Sequence, residues 1–183
     1  NYIGFLAGYI NASTITNVTL TRFSNTLSGG GIVGGFAGQA NNTVFNNCEI
    51  NDVNIGSGGN QIGGYVGILS GSSSRILNSK IINVSIASVG FDIGGMVGRL
   101  NDAAQVNNNT LEGSSSTIGA NNSNYVGGFV GRINSTNAVF NNNEIKGNVT
   151  LSGQYHSYAA WQNFGVGGMV GRNDGIVRGN KIT

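Results

Sequence analysis

A glycine-bracketed hydrophobic run recurs six times in this 183-residue chain, and no other feature limits the fold as strongly. The copies are Ile3-Gly4-Phe5-Leu6-Ala7-Gly8, Val33-Gly34-Gly35-Phe36-Ala37-Gly38 and Ile62-Gly63-Gly64-Tyr65-Val66-Gly67, then Ile93-Gly94-Gly95-Met96-Val97-Gly98, Val126-Gly127-Gly128-Phe129-Val130-Gly131 and Val166-Gly167-Gly168-Met169-Val170-Gly171. The closing glycines stand at 8, 38, 67, 98, 131 and 171, giving steps of 30, 29, 31, 33 and 40 residues. A period of this length marks stacked copies of one supersecondary unit, each burying its apolar face on its neighbours.

A second motif follows each run. Its copies begin at Ile15, Phe45, Ile76, Val106, Phe140 and Val177 and end at Leu20, Ile50, Ile81, Leu111, Ile145 and Ile182. The third position is Asn17, Asn47, Asn78, Asn108, Asn142 and Gly179. Asn and Gly share easy access to left-handed backbone, so their interchange marks a corner. Strict alternation would not send positions one and six inward on a flat strand; a bend at position three repairs the phase. Position four then also faces inward: Val18, Cys48, Ser79, Asn109, Asn143 and Asn180. Buried amides need partners, and a stack of like amides supplies them. Val53-Asn54-Ile55, Val84-Ser85-Ile86 and Val149-Thr150-Leu151 read as a further short strand, with polar loops at 70–74 and 113–117. The pattern predicts one all-β domain over 1–183: a β-solenoid (β-helix) of about six coils, about 30 residues per repeat, and about 30 Å long at ~4.8 Å per coil.

Composition narrows the partners. Charged residues are 9% of the chain and the net charge is +2, which argues against nucleic acid, whose binding needs clustered Lys and Arg. No apolar stretch approaches the ~20 residues of a membrane span. Cys48 is the only cysteine, so no disulfide forms within the chain, and a buried core thiol is expected. Proline is absent beside 32 glycines, and the apolar residues are periodic, which favours order over disorder.

The run Gly-Gly, hydrophobic, Val, Gly, followed after a polar spacer by a hydrophobic-x-Asn-Cys/Ser/Asn element, resembles the GLUG motif. The nearest copies are Gly64-Tyr65-Val66-Gly67 and Gly128-Phe129-Val130-Gly131, with Phe45-Asn46-Asn47-Cys48 supplying the Asn-Cys element. The resemblance covers six consecutive units. It implies a right-handed β-solenoid belonging to a secreted or surface-anchored protein such as an adhesin, and carries no catalytic residue. Phe, Tyr or Met stands where that family has Leu, and Asn or Ser where Cys is common.

Chemistry is sparse. A phosphate-cradling loop needs a strand–loop–helix unit, and calcium-binding repeats need a recurring Asp. His156 is the only histidine, and the seven carboxylates are scattered. Glu49 and Glu144 share a register but lie three coils apart, roughly 14 Å, too far for a glycosidase pair. No catalytic residue, metal or cofactor is expected. Arg99, Arg132 and Arg172 each follow a closing glycine and predict a short charge ladder, with Asp102 and Asp174 placed to neutralise it. Eight sequons, at Asn11, Asn17, Asn41, Asn83, Asn108, Asn121, Asn134 and Asn148, are candidate glycosylation sites, with Asn41, Asn121 and Asn134 read as exposed-loop positions and Asn17 and Asn108 as crowded corners. The largest insertion, 154–164, gathers Tyr155, His156, Tyr158 and Trp161 as a possible binding patch, and 158–161 is the best helical candidate.

The expected role is a non-catalytic structural or adhesive rod of an extracellular or cell-surface glycoprotein or filament. Both chain ends fall inside a coil without a cap, so end-to-end self-association or continuation of the same chain is expected, with glycans as possible partners. The alternative is a carbohydrate-binding or carbohydrate-cleaving β-helix using 154–164; a third reading is an ancillary domain of a large surface peptidase.

Overall fold

Each repeat folds as four short strands that wind once around a common axis. The third repeat shows the unit: Gln61–Gly63, Val66–Ser70, Arg75–Leu77 and Lys80–Ile86. The computed structural model describes residues 1–21, 27, 29–56, 59–120, 123–153 and 165–183. Corresponding strands of successive repeats pair in parallel, building four six-stranded sheets. Among the described residues the secondary structure is all β, and no helix is long and apolar enough to cross a membrane. The architecture is therefore a β-solenoid of six rungs, with like residues laid over like.

The glycine run makes the bend between the first and second sheets. Ladder bonds continue through the bend: the Tyr65 N–H donates to the Met96 carbonyl at 2.9 Å and the Phe36 N–H to the Tyr65 carbonyl at 2.8 Å. A Cβ on Gly64 would run into the Gly95 carbonyl, and one on Gly95 into the Gly128 carbonyl. The closing glycines let the second sheet lie directly on the first; a Cβ on Gly98 would stand 2.6 Å from the Ile62 nitrogen. The doublet and closing glycines serve close approach rather than left-handed backbone, because positive φ falls on other glycines.

Left-handed residues turn the remaining corners. Position three of the second motif has φ of 58° at Asn17, 53° at Asn47, 49° at Asn78, 59° at Asn108, 53° at Asn142 and 57° at Gly179. A second set, Ala12, Asn42, Gly71 and Asp102, follows the second sheet. A third, Asp52 and Asn83, bends the fourth sheet. The strands there are longer than the sequence suggests: Glu49–Ile55, Lys80–Ile86 and Glu144–Leu151 run continuously into the short strands expected at 53–55, 84–86 and 149–151. The expected loop at 113–117 is also strand, within Thr110–Ile118, and its extra length is absorbed by register shifts on both sides. Ser116 takes the inward place held by Val149 in the next rung, and its Oγ accepts the Val84 N–H at 3.1 Å, which replaces apolar filling by a bond.

The core is a bundle of stacked columns. Val33, Ile62, Ile93 and Val126 form one, and Phe45, Ile76, Val106 and Phe140 another, all fully buried. Phe36, Phe45 and Tyr65 cluster with ring centroids 4.4 to 5.7 Å apart, within the range of favourable aromatic contacts.

Candidate functional site

Position four carries a buried polar ladder through the core. The Ser79 N–H donates to Asn109 Oδ1 at 2.8 Å, the Asn109 N–H to Asn143 Oδ1 at 3.0 Å, and the Asn143 N–H to Asn180 Oδ1 at 2.8 Å. Each amide nitrogen reaches a carbonyl of the preceding rung: Asn109 Nδ2 to Ile76 at 2.9 Å, Asn143 Nδ2 to Val106 at 2.8 Å and Asn180 Nδ2 to Phe140 at 3.0 Å. One side chain thus satisfies the N–H that the corner removes from the sheet ladders and adds a bond to a carbonyl of the strand before the corner. Further up, Ser79 Oγ accepts the Cys48 N–H at 3.2 Å, and Cys48 is a buried free thiol. Tyr65 is also wholly buried, and burial holds its phenol well above the usual range.

The corner column at position three is exposed, and its backbone is in register: the Asn47 N–H meets the Leu77 carbonyl, and the Asn108 N–H the Asn141 carbonyl. Asn47 Nδ2 bonds Asn17 Oδ1 at 2.8 Å, but Asn78 Nδ2 crosses to Asn46 Oδ1 at 3.0 Å, so the side chains form local pairs instead of one continuous ladder. Beside them lies an open polar groove of about 260 Å³ lined by Asn17, Asn47, Asn78, Glu49 and Lys80.

The arginine ladder forms a seam where the first two sheets meet. Arg99, Arg132 and Arg172 are in direct register. Asp174 bridges two of them, at 3.5 Å to Arg132 and 3.1 Å to Arg172. Asp102 does not neutralise the ladder; it accepts the Gly71 N–H at 2.7 Å, because its left-handed backbone directs it to the neighbouring rung's turn. The second counter-ion is Asp92, fully buried and in direct ion pair with Arg99. Burial pushes its carboxyl up from the usual aspartate range, against the pull of Arg99. Tyr125 lies beneath two guanidiniums, 5.7 Å from Arg132 Cζ and 5.5 Å from Arg172 Cζ, and its hydroxyl accepts from Arg172 at 3.0 Å. The sequence reading missed Asp92 and Tyr125. A signal for them exists: they precede Arg99 and Arg132 by seven residues, flanking a glycine run, as Tyr2 precedes Tyr9, and those two rings are 5.6 Å apart.

The sequons scatter over the rod. Asn11, Asn17, Asn108, Asn134 and Asn148 are exposed, while Asn41, expected in an exposed loop, is half-buried, as is Asn83. Three have the amide nitrogen that a glycan would occupy engaged: Asn41 with Asn11 at 3.0 Å, Asn83 with Asp52 at 2.9 Å and Asn134 with Asn101 at 3.1 Å. Asn121 and the aromatic patch of Tyr155, His156, Tyr158 and Trp161 lie outside the described residues. Glu49 and Glu144 lie in one column, on opposite sides of Lys80 and Thr110.

Comparison of the chain with family models, curated proteins and solved structures finds no match.

Proposed function

We propose that this chain is a non-catalytic structural rod of an extracellular or cell-surface protein, of the adhesin-like kind that the GLUG resemblance implies, extended by stacking further rungs on its ends. One observation carries this reading: all four sheets run in parallel register through six rungs, so among the described residues each end rung has four strands without an outer partner strand. Such edges template further pairing. The last rung adds apolar surface to them, with Val166 52%, Val177 41% and Ile182 57% exposed. By register these columns continue Ile3, Ile15 and Leu20 of the first rung, so a second copy stacked end to end meets apolar with apolar. Negative-stain microscopy and sedimentation over a concentration series test this. Strings of rods several times the ~30 Å unit length are expected; single short particles at every concentration would overturn it.

A further inference from the structure

We propose that the seam between the first two sheets binds a linear glycan bearing carboxylate or sulfate groups, aligned with the rod axis. The guanidiniums of Arg99, Arg132 and Arg172 stand on successive rungs, ~4.8 Å apart along that axis. Their side chains are 25%, 22% and 33% exposed, mostly held in the seam with the remainder open to solvent. Each guanidinium offers five N–H donors in a flat fork suited to carboxylate and sulfate oxygens. The protein's own acids leave many of these donors unused. Asp92 is wholly buried and paired with Arg99, so among the described residues only Asp174 competes with an incoming anion at the surface. The buried Arg132 Nε has no hydrogen-bond partner among the described residues. Tyr125 beneath Arg132 and Arg172 fixes their planes, which lowers the ordering penalty of binding.

A row of donors along the axis suits a polymer with an anion on successive units, whereas a small ion would use one rung. The same two columns continue through Gln61 and Ile32 to Tyr2 and through Ile68 and Gln39 to Tyr9, and the two tyrosines are 46% and 48% exposed. Aromatic faces at one end and guanidiniums at the other suit sugar rings that carry acid groups. A net charge of +2 disfavours nucleic acid, whose affinity grows with the number of phosphates neutralised.

The test is binding of the full chain to dextran sulfate and to polygalacturonate, with neutral dextran and a single-stranded DNA oligonucleotide alongside. The two acidic glycans separate sulfate from carboxylate preference. Binding of at least one is expected, with none to dextran, a loss of tenfold or more in R99Q/R132Q/R172Q, and tighter binding in D174N. Circular dichroism checks that the triple variant keeps its strands; if it does not, R172Q on the more exposed last rung is expected to lose affinity severalfold. Binding of neither glycan, equal binding by the folded triple variant, or tighter binding of DNA would overturn the proposal. End-to-end association is read separately by sedimentation, so this inference and the rod reading fail independently.

Discussion

At the scale of single residues, position four shows how a polar side chain becomes part of a core. Asn109 supplies the acceptor for the Ser79 N–H and the donor for the Ile76 carbonyl, and is itself 1% exposed. Asn109→Ala leaves the Ser79 N–H buried and unpaired and takes one bond from the Ile76 carbonyl, a loss on the order of 2 kcal/mol in chemical denaturation. Asn109→Ser keeps an acceptor of the kind Ser79 already provides to Cys48, so a loss of about 1 kcal/mol is expected. If both variants lose the same amount, the ladder is not what holds this register. The glycines divide in a similar way. Gly95→Ala drives a methyl into the Gly128 carbonyl and the Leu111 and Ile118 side chains, and is expected to abolish cooperative folding. Around Gly30, among the described residues and apart from its chain neighbours, no atom lies within 4 Å of an added Cβ, and Gly30→Ala is expected to leave the melting temperature unchanged or slightly raised.

Among the elements, the meeting of the first and second sheets is the least forgiving place for a charge. Asp92 is fully buried there, and its second oxygen has no partner among the described residues. Because its folded pKa lies above the unfolded value, the folded state holds the proton more tightly. Its contribution to stability is present below the ordinary aspartate range and lost as pH rises through the folded value. Asp92→Asn should remove this slope and leave the protein at least as stable near neutral pH, which melting curves from pH 3 to 8 would show. A variant less stable at neutral pH would mean that the Arg99 pair outweighs burial. The same seam explains what could be read from the sequence. Columns that repeat a residue type announced themselves: the Asn corner, the large apolar position one and aliphatic position six, and the Arg that follows a closing glycine. The column of Tyr2, Ile32, Gln61, Asp92, Tyr125 and Gly165 repeats only Tyr, on its first and fifth rungs, so its buried acid was marked by nothing but the seven-residue lead over Arg99. The bend inside the fourth sheet was missed because its left-handed residues, Asp52 and Asn83, lie between hydrophobic positions that also fit two separate strands.

Over the whole molecule, the rod has a direction that its end rungs express differently. In the buried ladder each rung donates its position-four N–H to the side chain of the next rung, from Cys48 through Asn143. The Asn180 N–H has no such acceptor among the described residues, and the first rung offers Val18 at this register. A second copy stacked on the last rung would match Val166 with Ile3, Val177 with Ile15 and Ile182 with Leu20. Arg172, Arg178 and Lys181 would meet Tyr9, Thr16 and Thr19, so no like charges would face each other. Two places break the match: Asn180 over Val18 and Asn173 over Ile10. Val18→Asn repairs the first, since the new Oδ1 can accept the Asn180 N–H of the neighbouring copy and the new Nδ2 can reach its Val177 carbonyl, as Asn180 Nδ2 reaches Phe140. One buried donor satisfied across the junction, at about 1.4 kcal/mol, shifts the association constant about tenfold. Sedimentation velocity on the two proteins at matched concentrations reads this directly. Val18→Asn should form strings at about a tenth of the concentration that the parent requires. If the variant associates no more readily, the copies do not meet through this face in this register, whatever the stability of each rod.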